Sequence, residues 1–68
     1  MYQVKRLEHI AGMPVHHAKI GRATRTLEQA ERELAKHPVA IVVNTDNGRI
    51  ERYGRAGPAR CLGIGHAF

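Results

Sequence analysis

Tryptophan is missing from this chain, and only Tyr2, Tyr53 and Phe68 are aromatic. That is too few for a platform on which successive nucleic-acid bases could stack. A single cysteine, Cys61, excludes an internal disulfide and fits a reducing cytosol. No run approaches the ~20 apolar residues of a membrane-spanning helix. The longest, Val39 to Val43, has the length and β-branching of a buried strand. No secretory segment is expected at the start, because Lys5 and Arg6 lead into Leu7, Glu8 and His9 rather than an apolar stretch. At 68 residues, 1–68 reads as one domain, near the lower limit at which a chain folds around its own core.

Acid is also scarce. Eleven Lys and Arg stand against six Asp and Glu, a formal charge of +5, and five histidines add to the reserve. On so small a body this favours anionic partners, either nucleic acid or an acidic protein face. Eight of the cations are arginine, whose planar fork suits phosphate and carboxylate. A basic surface kept for solubility is the plain alternative.

The chain reads as strand, strand, helix, strand, strand, strand. Tyr2 to Ile10 is a first strand, with a bulge or phase change expected because Leu7 falls on the face opposite Tyr2 and Val4. Ala11 to Pro14 is a turn. Val15 to Ala23 is a second strand, with Ala18 and Ile20 inward and His17 and Lys19 outward. A helix is predicted from about Leu27 to Lys36. Thr26 is its N-cap and Gln29 completes a capping box. Leu27, Ala30 and Leu34 form its apolar stripe, which Ala35 would extend. Glu28 and Arg32 are spaced for an ion pair, and Pro38 disfavours continuation at His37. Val39 to Val43 then reads as a central strand, apolar on both faces with no second helix to cover the far side. Asn44 to Gly48 is a hairpin turn whose Asn-Gly tolerates positive φ. Arg49 to Tyr53 returns, Gly54 to Pro58 turns again, and Arg60 to Ile64 is a short last strand. The tail from Gly65 to Phe68 is expected to be loose unless Phe68 docks on the sheet. The expected fold is α+β: a single domain with a curved antiparallel sheet of about five strands, β-β-α-β-β-β, and one helix on one face.

No catalytic constellation stands out, so an enzyme is not expected, nor a cofactor. His16 and His17 are adjacent and point to opposite faces of a strand, which hinders chelation of one ion. Cys61 has no second cysteine at zinc spacing. It also has no predicted helix N-terminus to lower its pKa. Gly63-Ile64-Gly65 lacks the following helix that a phosphate loop requires.

The remaining pattern is basic. Arg49, Arg52 and Arg55 flank the last hairpin, with Arg60 beyond. Arg49 and Arg52 have opposite strand parity, so they share a patch only where twist or the strand end intervenes. Lys19, Arg22 and Arg25 run from the second strand into the helix cap. Arg32 and Lys36 share a helix face.

Tyr2-Gln3-Val4-Lys5, Thr26-Leu27-Glu28-Gln29-Ala30-Glu31-Arg32 with Lys36, Asn47-Gly48 and Tyr53 occur in an order that spans most of the chain. In these features the sequence resembles a family of small phage anti-CRISPR proteins that disable the type I-F surveillance complex. It departs from that pattern at Glu31, at Gly54 and in lacking an aromatic in the third strand. The resemblance implies one helix against a five-stranded antiparallel sheet. It also implies an inhibitor acting in the host bacterial cytoplasm, seated on the subunits that hold the crRNA and blocking target-DNA pairing. Gln29, Arg32 and Lys36 would lie in the contact surface, with Arg55 and Arg60 placed approximately. The exposed cations, Lys19, Arg22, Arg25, Arg49 and Arg52 among them, would hold double-stranded DNA non-specifically. Two other readings stay open: a small basic nucleic-acid-binding regulator of a phage or plasmid, and an assembly protein that dimerises through the Val39 to Val43 strand. The oligomeric state is open between monomer and dimer.

Overall fold

The structure is a computed structural model and describes residues 1–8 and 16–63. Its elements are β1 (Tyr2–Glu8), β2 (His16–Thr24), α1 (Leu27–Leu34), β3 (Ala40–Asn44), β4 (Ile50–Tyr53) and α2 (Pro58–Leu62). The strands form one antiparallel sheet in the order β2-β1-β3-β4. The α+β class therefore stands, with four strands and two helices among the described residues, in the order β-β-α-β-β-α. The turn at Ala11 to Pro14, the end of the first strand and the tail lie outside the described residues.

Alternation along the strands explains the layering. Val4 on β1 lies opposite Val42 on β3 and Ile20 on β2. These residues face α1, where Val4, Ala30, Leu34, Ala40 and Val42 make the main core, with Tyr2, Ile20 and Leu27 packed against it. The helix begins where Thr26 Oγ1 accepts a hydrogen bond from the Gln29 amide at 3.2 Å, which satisfies one of its free N–H groups. The helical stretch is shorter than expected and ends at Leu34, with Ala35 as C-cap. Ala35 is exposed rather than part of the stripe.

The largest departure from the sequence expectation lies at the chain's last described element. In place of a fifth strand over Arg60 to Ile64, Pro58–Leu62 forms a short helix. Gly57 precedes it at φ 97° and Gly63 closes it in the left-handed region at φ 77°. Proline at the first turn and glycine just past the end suit a helix: the ring presets φ, and glycine takes the left-handed cap without a Cβ clash.

This helix covers the sheet face that the sequence pattern leaves bare. Ile41 is buried on that face, and so is Cys61 on α2. With Ala40, Ile41 and Val42 all buried inside one chain, β3 needs no second copy to cover it. Gly54 makes the close approach of the chain after β4 to the His37–Pro38 segment feasible. A Cβ there would come within 2.8 Å of the Pro38 carbonyl carbon and 2.9 Å of the His37 oxygen. Its amide donates to Ala40 O at 2.7 Å, and Ala56 N donates to Pro38 O at 3.0 Å.

The bulge expected in the first strand is not found in β1, which runs in register through Leu7; the irregularity lies in β2 instead. Tyr2 pairs with Thr24 while Val4 pairs with Ile20, so β2 carries extra residues around Gly21, which sits at φ 61°. The bulge explains a buried polar side chain. Gln3, only 5% exposed, donates its amide to the carbonyls of Ile20 at 3.1 Å, Gly21 at 3.3 Å and Val4 at 2.9 Å. Carbonyls released from the ladder thus find a partner. In the hairpin after β3, only Gly48 takes positive φ, at 74°. Asn47 stays at negative φ and uses its side chain instead, accepting from Arg49 N at 2.9 Å.

Candidate partner-binding surfaces

Helical geometry fixes the first surface. With Leu27, Ala30 and Leu34 turned to the sheet, a 100° step per residue sends Gln29, Arg32 and Lys36 to the outward side. All three are exposed. Lys36 reaches Glu33 at 3.5 Å, and Glu33 also accepts from His37 at 3.1 Å. The bond from His37 is the main reason the Glu33 carboxyl titrates below its usual range, with attraction to Lys36 adding to it and slight desolvation opposing. Among the described residues Arg32 has no ion-pair partner. The expected pair with Glu28 does not form.

Two arginines then fasten the helix flank to β4. Arg52 Nε donates to Glu31 at 3.2 Å, and Arg55 Nη1 donates to the Ala35 carbonyl at 3.2 Å. Glu31 and Ala35 are four residues apart, so they lie on one side of the helix. Arg55 satisfies a carbonyl at the helix end, where positive charge is favoured. Arg52 and Glu31 are about half exposed, at 48% and 45%, so their pair contributes only about 0–1 kcal/mol. The acid at position 31 thus has a local use as the partner of Arg52.

Of the residues that the sequence assigns to a partner, Gln29, Arg32, Lys36 and Arg55 come together on the α1 side. Arg60 does not, because α2 carries it onto the opposite face of the sheet. The residues assigned to nucleic acid are scattered. Arg52 is on the α1 side. Arg25 and Arg49 lie at the same end of the sheet, on the chain beyond β2 and before β4, roughly 14 Å apart by strand spacing. Arg22 sits in the bulge, and Lys19 points to the α2 side.

The second surface is the α2 side of the sheet. Alternation places Lys5, Leu7, His17, Lys19, Ile41, Val43 and Tyr53 there. Sequence reasoning missed Lys5. His17 Nε2 bonds to the Cys61 carbonyl at 2.7 Å, whereas His16 bonds to Glu8 at 3.0 Å on the other side. The adjacent histidines are thus held on opposite faces. All six Asp and Glu residues lie elsewhere. Glu8, Glu31 and Glu33 have cationic or imidazole partners on the α1 side, and Glu28 is exposed on α1. Asp46 is in the hairpin beside the N-terminus, and Glu51 turns to Asn44.

Among the described residues there is no enclosed pocket and no cluster with the makings of a metal site. None of their helices is long and apolar enough to cross a membrane. The fold and its surfaces define a small basic α+β protein with one antiparallel sheet between two unlike charged faces. Comparison with family models, curated proteins and solved structures finds no match to the chain.

Proposed function

We propose that this chain is a phage-encoded inhibitor. It seats its basic surface on the crRNA-holding subunits of a type I CRISPR surveillance complex, in the cytoplasm of a bacterial host, and blocks capture of target DNA. The observation that carries this reading is the outward row Gln29, Arg32 and Lys36, set on a capped helix and flanked by Arg52 and Arg55. A helix fastened at both ends holds its cations in fixed relative positions, which lowers the entropy lost on docking. Arginine addresses both partners that such a complex presents, carboxylates on protein and phosphates on RNA. The residues that carry the resemblance divide sensibly on this helix: Thr26 caps it, Leu27 and Ala30 face the sheet, and Gln29 and Arg32 face out. The same exposed cations would hold double-stranded DNA non-specifically.

The test is a pull-down of the tagged protein with purified type I surveillance complexes, followed by a target-DNA shift assay. Stoichiometric association with loss of target capture is expected. Arg32→Glu and Lys36→Glu together should weaken association by about tenfold or more, since each reverses a charge at the centre of the contact. Absence of association with every subtype, alongside salt-sensitive binding to bare duplex DNA, would replace this reading with a free-standing nucleic-acid regulator.

A further inference from the structure

The geometry points to a second binding site on the opposite side of the sheet, a Lys5–Lys19 clamp for the phosphodiester backbone of single-stranded nucleic acid. Lys5 and Lys19 are direct partners across the β1–β2 ladder. Directly opposed residues hold their Cβ atoms about 5 Å apart, and like charges in that arrangement weaken a sheet. Folding therefore supplies no reason for the pair. On the α1 side Arg6 has Glu8, Lys36 has Glu33 and Arg52 has Glu31, with Arg32 left unpaired among the described residues. Among the described residues the lysine pair has no such relief: Glu8, Glu28, Glu31 and Glu33 lie on the α1 side, Glu51 turns to Asn44 and Asp46 is in the hairpin.

An anion lying between the two ammonium groups would remove the repulsion. Each lysine ammonium is a compact point charge that can donate to a phosphate oxygen from many directions. The surroundings also favour a strand over an isolated ion. Arg60 projects from the helix on this same face, exposed to solvent. Tyr53 stands at its far edge, 37% exposed, where its ring can stack on a base. The half-buried stem of Lys5 beside Ile41 fixes the direction in which its ammonium points. This site does not depend on the helix surface or on its proposed partner.

The experiment measures binding of a short fluorescein-labelled oligouridylate to the full chain by anisotropy, between about 50 and 200 mM salt. Lys5→Gln with Lys19→Gln is expected to lower affinity about tenfold. It should also flatten the log–log salt slope by about 1.4, since each single-strand phosphate contact contributes ~0.7. Lys19→Glu separates binding from folding, because it turns a repulsive pair into an attractive one. Its melting temperature should rise while oligouridylate binding is lost, and a more stable protein that binds less has not failed to fold. Arg32→Gln with Lys36→Gln, on the other face, should leave the salt slope within half of that change. Three results would overturn the site: unchanged affinity in both lysine variants, an equal loss in the helix variant, or displacement of the RNA by polyglutamate as readily as by unlabelled RNA. The last would assign the face to an acidic protein instead.

Discussion

The two faces of the sheet solve the problem of charge in opposite ways. On the α1 side, carboxylates and cations are interleaved, the helix is capped, and arginines from β4 and the turn after it tie its flank down. On the α2 side a five-residue helix, one cysteine and one imidazole bond close the layer, and two lysines face each other without a counter-ion among the described residues. The first face pairs most of its charges within the fold and leaves Arg32 unpaired among the described residues. The second leaves them uncompensated, which is how a surface looks when its partner is another molecule.

Disrupting the turn that leads from β4 towards α2 is the strongest challenge to this division. Gly54→Ala would push a methyl group into the His37–Pro38 carbonyls and should cost about 2–3 kcal/mol. For a domain of this size that lowers the melting temperature by more than about 10 °C. Thermal denaturation checks it, and amide exchange should find β3 and α2 deprotected before α1. A smaller effect is expected from Gln3→Leu, which keeps the volume but leaves the Ile20 and Gly21 carbonyls unpaired. About 1–2 kcal/mol should be lost in a urea titration. The smallest effect belongs to the α1 side alone. Glu33 has a folded-state pKa below its unfolded one, so its contribution is present above about pH 4.3. It disappears as pH falls through the lowered folded value. An NMR pH titration should find Glu33 protonating below the usual glutamate range, and its hydrogen bond from His37 should break in the same step. The Lys5–Lys19 pair, which carries no carboxylate, should be indifferent to that transition.

Much of the α1 side was legible in the sequence because its signals are local. Thr26, the 27–30–34 stripe and Pro38 place the helix to within a turn, and the i, i+4 relation of Arg32 and Lys36 predicts their common face. The central strand was equally plain from Val39 to Val43. The α2 helix was not, because five residues hold too little periodicity to register. Its signal is the bracket of Gly57-Pro58 and Gly63, which also fits a turn followed by a strand. The lysine pair was hidden for a different reason. Strand alternation gives the face of Lys19 but not its neighbour, which depends on register. The β1–β2 pairing from Val4 to Glu8 is symmetric about residue 12. Treating Gly12 as the centre of that hairpin would have set Lys5 against Lys19 from sequence alone.

The bulge in β2 has a consequence beyond its hydrogen bonds with Gln3. This nine-residue strand lies at the margin of the sheet, and a long flat margin is a template for further strands from other molecules. The kink at Gly21 interrupts that template midway, and Lys19 and Arg22 add like charge on either side of it. The opposite margin, β4, is only four residues long and carries Arg52. Neither side offers a run on which copies of the chain could stack into fibrils. Both margins of the described sheet are thus poor templates for pairing with further copies of the chain.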